Sequence, residues 1–268
     1  QHYQEALPYA SALLKLNQSS ATAAPDLHDI LGEIYSATGD SAKALSHYKR
    51  AFSIYNAKNL IKQKADILIA IGTVYGELGD HRKELKHYLE SYELIKNSDN
   101  ADQLALLYNN IGEVYRELGD MDKSLSYYRR AYSYAKTMNL PDTEAISLGN
   151  IAEVYLFRKK YSEAKTSFEK SILISRSLND YTGISLSLRG ISRCLSGLKQ
   201  YDSAEAKALT ALETSIKIDD SLETAKNYLN IAMIRLNRRR QSGIEEMLKK
   251  ALNLAQADQF IPVQCQKC

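Results

Sequence analysis

Asn110, Asn150 and Asn230 each stand one residue before a large aliphatic, Ile111, Ile151 or Ile231, and their spacings are multiples of forty residues. A side-chain amide both donates and accepts hydrogen bonds, so it can pair with the backbone of an extended peptide. Asn109 adds a second amide beside the first. Asn is a poor helix-interior residue, so the series needs a compensating role, either a bond to a neighbouring helix or a bond to a ligand. Charged residues follow at the same period. Three residues beyond the Asn position stand Glu33, Thr73, Glu113, Glu153, Arg193 and Met233, with Arg116, Glu117 and Arg189 close by. The series is acidic in its first half and basic around its fifth member, which would orient a dipolar or mixed-charge partner. The candidate binding residues are therefore Asn109, Asn110, Asn150, Asn230, Glu113, Arg116, Glu153, Arg189 and Arg193.

Other chemistry is sparse. The chain has no Gly-rich phosphate loop, no HExxH and no Gly-x-Ser-x-Gly, so the reading is a non-enzyme without a cofactor. His28, His47, His81, His87 and His2 form no ligand set; His81 and His87 are too far apart for one helical turn and read as surface residues. Cys194 falls on a buried helix face, while Cys265 and Cys268 form a CxxC with no second pair, so no metal is expected: two thiolates leave a tetrahedral zinc site half empty.

The elements that position the asparagines follow from the repeat. Gly32, Gly72, Gly112, Ala152, Ser192 and Ala232 lie forty residues apart without a break in register. Each is preceded by Leu or Ile, and three residues later come Tyr35, Tyr75, Tyr115, Tyr155, Leu195 and Arg235. In residues 104–138 the apolar positions Leu104, Leu107, Tyr108, Ile111, Val114, Tyr115 and Leu118 recur at three- and four-residue spacings, the pattern of an amphipathic helix. Gly119 can end it in the left-handed conformation and Asp120 can cap the next helix, with Leu125, Tyr128, Ala131 and Tyr132 on one face. The Gly-Asp signal recurs at Gly39-Asp40 and Gly79-Asp80, so each unit is a helical hairpin that buries its apolar face only against its neighbours. Small residues at Gly112 and Ala131 let the two helices approach.

Three positions break the pattern. Glu84 stands where a small residue belongs, which predicts looser packing in the second unit; Lys160 replaces a capping Asp; the sixth unit carries Arg235 and Ile244 for Tyr and Ala. At the ends, residues 1–18 read as a helix of a preceding partial unit with Ala6, Tyr9, Ala10, Leu13 and Leu14 on its face, and residues 19–25 as a loop. Ile261-Pro262-Val263 reads as the start of a seventh, truncated unit spanning 261–268, so the natural protein is expected to continue.

The net charge of +3 with mixed signs gives no field for nucleic acid, and Arg238-Arg239-Arg240 reads as a solvated turn. No apolar stretch reaches the ~20 residues of a membrane span, so neither partner is expected of this region. The compartment is cytoplasmic by default, or exported if a leader was removed before Gln1.

The series Tyr108, Ile111, Gly112, Tyr115, Ser124, Tyr128, Ala131 resembles the tetratricopeptide repeat, with six concordant copies over residues 24–257. The family's first bulky position is never Trp here, its late Pro is absent, and forty residues in place of its common 34 imply longer helices, as in repeats of kinesin light chains, Leu-Gly-Asn type polarity adaptors and bacterial regulators that bind signalling peptides. The resemblance implies an all-α fold: a right-handed superhelical solenoid of stacked antiparallel helix hairpins, one solenoid over residues 1–268. It also implies that the first helices line a concave groove, and that Asn at the quoted position holds an extended peptide, as in kinesin-light-chain-like repeats. The expected function is a scaffold binding a protein or extended peptide; the alternative is the sensory region of a larger bacterial signalling or transcription regulator.

Overall fold

The computed structural model describes residues 2–17, 25–97, 101–239 and 242–264, with side chains described except at 2–4, 11, 14–17 and 257–264. All thirteen elements among them are α-helices and none is a strand: α1 (His2–Asn17), α2 (Pro25–Ala37), α3 (Ser41–Ala57), α4 (Ile61–Glu77), α5 (His81–Ile95), α6 (Ala101–Glu117), α7 (Met121–Thr137), α8 (Pro141–Phe157), α9 (Tyr161–Ser177), α10 (Tyr181–Gly197), α11 (Tyr201–Lys217), α12 (Ser221–Asn237) and α13 (Ile244–Gln264). The period has a simple origin. Helices such as α3, α4, α8 and α9 are each 17 residues long, and three-residue turns separate them.

The turns are built alike. At the hairpin turns Gly39, Gly79 and Gly119 are left-handed, with φ of 81°, 74° and 81°. The corresponding residues of the later hairpins, Lys159, Lys199 and Arg239, hold the same conformation at 57°, 62° and 61°. The backbone closes each turn in one way, as when Asp40 N–H bonds Tyr35 O at 2.8 Å and Lys160 N–H bonds Tyr155 O at 2.9 Å. Left-handed backbone strains a residue with a Cβ. Lys159→Gly is therefore expected to raise the unfolding free energy by about 0.5–1 kcal/mol, part of the relieved strain being offset by glycine's freedom in the unfolded chain. Denaturant titration checks it, and a loss of stability would contradict it. The aspartates cap as the sequence predicts: Asp40, Asp80 and Asp120 accept from the N–H of Lys43, Lys83 and Lys123 at 3.1, 3.2 and 3.1 Å. Lys160 makes no side-chain cap.

The chain falls into two compact units, residues 1–127 and 128–268. In the first, α2 packs on α3 and α4 on α5, with α3 against α4 and α5 against α6. The small positions admit rings. A Cβ at Gly32 would stand 2.5 Å from the ring of Tyr48, and one at Gly72 would stand 2.6 Å from that of Tyr88. The tyrosines three residues on stack on the second helix: Tyr35 on His47, Tyr75 on His87 and Tyr115 on Tyr127, with centroids 5.4, 5.5 and 5.4 Å apart. His87 is thus a packing residue rather than the surface one its sequence context suggests. Glu84 does not open the second hairpin, because Gly76 supplies the room: a Cβ there would lie 2.6 Å from the carboxylate, which bonds His81 Nδ1 at 2.9 Å. On α1 the contacts differ from the predicted face. Leu7 and Ala10 pack against Leu27, Leu31 and Ile34, while Tyr9 and Leu13 are exposed.

In the second unit the chain of contacts runs α8–α9–α10–α11–α12–α13, with α10 also touching α8 and α12. Ala152, Leu156, Ala164, Phe168, Ile191, Cys194, Leu195 and Ile231 belong to one core cluster. Cys194 is a free, fully buried thiol whose pKa burial pushes up to about 12, so it carries no nucleophilic chemistry at neutral pH. α13 runs as one helix across Ile261, where the sequence suggests a new start, and Leu248 on it is exposed. Residues 19–24 of the expected loop, and Cys265 and Cys268, lie outside the described residues.

Candidate functional site

The candidate residues divide between the units. In the first, α6 carries Asn109, Asn110, Glu113 and Arg116. Asn109 is buried at 5 % exposure, whereas Asn110 is half-buried. Arg116 Nε bonds Glu113 at 3.0 Å, and its guanidinium also reaches Glu117 at 2.6 Å, so this trio is satisfied within its own helix. The first helices α2 and α4 add Asp26, Asp29, Glu33 and Asp66. Burial, and then the negative charges of Glu33, Asp66 and Asp26, raise the Asp29 pKa to about 6. Behind them His28 Nδ1 meets His47 Nδ1 at 2.9 Å, and burial first, with Arg50 contributing, lowers both histidine pKa values.

These shifts act on stability with opposite signs. A raised carboxyl pKa gives stability that is present below the unfolded value of 3.8 and lost as pH rises through about 6. A lowered histidine pKa gives stability that is present above 6.5 and lost as pH falls. Asp29→Asn should therefore flatten the fall in stability between about pH 4 and 6 while leaving the histidine limb in place. Melting curves across pH test this; an unchanged slope over that window would contradict it.

The second unit brings its candidates together. Arg189 and Arg193 on α10 and Asn230 on α12 line one cavity of about 470 Å³. One turn of each helix separates successive lining residues: Arg189, Arg193 and Ser196 on α10; Lys226, Asn230, Met233 and Asn237 on α12. The arginines are already paired. Arg193 holds Glu153 of α8 at 2.8 and 2.9 Å, an exposed pair, and Arg189 holds Glu223 at 2.8 and 3.3 Å, with Glu223 only 3 % exposed. The basic charge expected around the fifth unit is thus largely neutralised, and Arg189 faces inward rather than into solvent. Asn150 is half-buried on α8, one turn before Glu153. Asn230 is buried at 9 %, and its Nδ2 donates to Ser192 Oγ at 2.6 Å.

The structure adds residues beyond the binding candidates read from the sequence. Among the described residues, Lys226 has no acidic partner. Leu229 and Met233 beside it are 46 % and 55 % exposed, and Leu156 and Tyr161 lie across the cavity. Gly197 admits Tyr161, since a Cβ there would lie 2.4 Å from its ring. Lys226 could have been found: it stands one turn before Asn230 on the same helix face. Its free charge could not, because that depends on Glu153 and Glu223 having been taken by arginines. Among the described residues no cluster of three or more His, Cys, Asp or Glu could hold a metal ion, and no helix is long and apolar enough to cross a membrane.

Stacked helical hairpins with a polar and apolar groove on their first helices define a repeat scaffold. The profile of the tetratricopeptide repeat matches residues 21–97, 63–137, 102–177 and 143–217, and the chain belongs to that family. No curated protein sequence matches it. Among solved structures it is similar to the apo form of RapI, at 13 % identity and TM-score 0.72 over 96 % of this chain and 98 % of that one. Aspartyl phosphate phosphatase F from Bacillus subtilis matches at 15 % and 0.72 over 94 % and 76 %. A signal transduction ATPase with a tetratricopeptide repeat sensor from Pyrococcus horikoshii matches at 20 % and 0.72, over 99 % of this chain but 40 % of that one. At these identities the likeness concerns the fold.

Proposed function

We propose that the first-helix face of the second unit, centred on α10 and α12, holds an extended protein or peptide segment that carries an acidic group beside an apolar side chain. The observation that carries this reading is the composition of one helical stripe: the unpaired cation Lys226, the exposed apolar Leu229 and Met233, and the amides of Asn230 and Asn237. A folded monomer gains nothing from leaving Leu229 and Met233 in water, and an apolar ligand group would cover both. The lone ammonium favours a carboxylate, and the amides suit a backbone. A groove between packed helices fits an extended chain better than a compact small molecule. One solved structure with this fold is a Rap protein complexed with competence and sporulation factor, which supports the class of ligand.

The test is selection of a random dodecamer display library on the whole chain and on the Met233→Asp variant. Met233 is exposed, so the variant keeps the fold. Enrichment on the unaltered chain that disappears on the variant supports the groove; equal enrichment on both places the binding elsewhere.

A second reading makes this chain the sensing region of a larger regulator. The match of nearly its whole length to part of the sensor-bearing ATPase favours it. The full reading frame decides: a contiguous nucleotide-binding or DNA-binding module supports it, and a stop codon within one further helix removes it.

A further inference from the structure

We infer that Ser192 is the specificity-determining residue of this groove: it pins the Asn230 amide through one of its two Nδ2 protons, so that Oδ1 accepts from a backbone N–H of the bound segment. The inference rests on the groove-binding reading above. Five of the six repeats have Gly or Ala at the small position, namely Gly32, Gly72, Gly112, Ala152 and Ala232, and none of these side chains can hydrogen-bond. The fifth repeat has Ser192, fully buried. Its hydroxyl carries a single proton, and that proton is donated to Arg189 O at 2.7 Å, one turn back on α10. Ser192 Oγ can then only accept from Asn230, and the partner at 2.6 Å must be Nδ2. The amide orientation is fixed by this proton count. One Nδ2 proton is spent on the protein, and Oδ1 is left to accept from a ligand.

The same device is repeated between these helices. Asn237 Nδ2 donates to Ser196 Oγ at 3.3 Å, two turns beyond Asn230. Deeper in, Asn227 Nδ2 donates to Ser185 Oγ at 3.1 Å, and Ser185 in turn donates to Ala211 O at 3.0 Å. Serines on α10 thus orient asparagines on α12 at three levels, of which the outer two border the cavity. By contrast Asn110 has Gly72 at the position that Ser192 holds relative to Asn230, so no such hydroxyl pins its amide. Asparagines that look equivalent in the sequence therefore differ in what they can recognise.

The experiment uses the whole chain and the tightest dodecamer from the library selection. Each peptide amide is replaced in turn by an ester, which removes the N–H and keeps the shape. Affinities are measured by calorimetry for the unaltered chain, Ser192→Ala and Asn230→Ala, with melting curves in parallel; Ser192→Ala installs the residue found at Ala152 and Ala232. The expected result is one ester position that weakens binding about tenfold on the unaltered chain, less than about twofold on Asn230→Ala, and by an intermediate factor on Ser192→Ala, where the freed amide can turn. A merely structural Ser192 would shift melting and leave the ester penalty unchanged. An equal penalty on Ser192→Ala and the unaltered chain, or no sensitive position at all, overturns the inference while the groove stands. Failure of the library to yield any binder overturns both.

Discussion

Glu223→Ala should lower the unfolding free energy by about 3 kcal/mol, the low end for breaking a buried ion pair, because the Arg189 guanidinium keeps some contact with water. The Glu223 side chain is 4 % exposed and that of Arg189 18 %. Both carboxylate oxygens accept from the guanidinium, at 2.8 and 3.3 Å, and the Glu223 backbone N–H is capped by Asp220 at 2.8 Å. The carboxylate therefore sits in the first turn of α12, where the helix dipole favours it, and ties α12 to α10. Removing it strands a desolvated cation. Replacing Arg189 and Glu223 together with Met should cost less than the single change, since no charge is then left unpaired. Urea titration of the parent and the two variants decides; a single variant as stable as the parent would show that the pair is dispensable.

Phe168→Ala should cost about 3–5 kcal/mol, the usual range for emptying a large aromatic site in a core. Phe168 is 3 % exposed on α9 and touches α10 where that helix has no side chain: a Cβ at Gly190 would stand 2.3 Å from the ring. Phe and Gly are thus a complementary pair, and Gly190→Ala should itself be destabilising by about 1–3 kcal/mol through overpacking. The two changes should not add. With the ring gone a methyl at position 190 has room, so the double variant should lie above the sum of the singles. Additive losses would mean that the ring and the glycine do not share one space.

Much of the fold was legible because the repeat samples the same hairpin six times. Leu31, Ile71, Ile111, Ile151, Ile191 and Ile231 are all buried, as are the small residues that follow them. A local pattern says nothing of compensation, however. Glu84 breaks the pattern on α5, and its remedy, Gly76, lies eight residues earlier on α4. On α1, Tyr9 and Leu13 satisfy helical periodicity as well as Leu7 and Ala10 do, and only the position of α2 decides which pair is buried. The site was legible as a set of positions and not as a set of charges. Arg193 and Glu153 lie forty residues apart, and Arg189 and Glu223 thirty-four apart, in the sequence. Stacking turns each into a pair, and this cancels the charge asymmetry that composition along the chain suggests. What survives the cancellation is Lys226, which belongs to none of the forty-residue series that drew attention to the groove.

Affinity for the selected acidic peptide, compared between the unaltered chain and Lys226→Glu at matched thermal stability, tests the central claim most directly. Lys226 is exposed and unpaired, so reversing its charge leaves the fold intact. The groove account predicts a loss of affinity of about tenfold or more, steeper at low salt, and recovery when the acidic residue of the peptide is exchanged for lysine. Unchanged affinity for the acidic peptide on Lys226→Glu would contradict the assignment of this groove as the binding site.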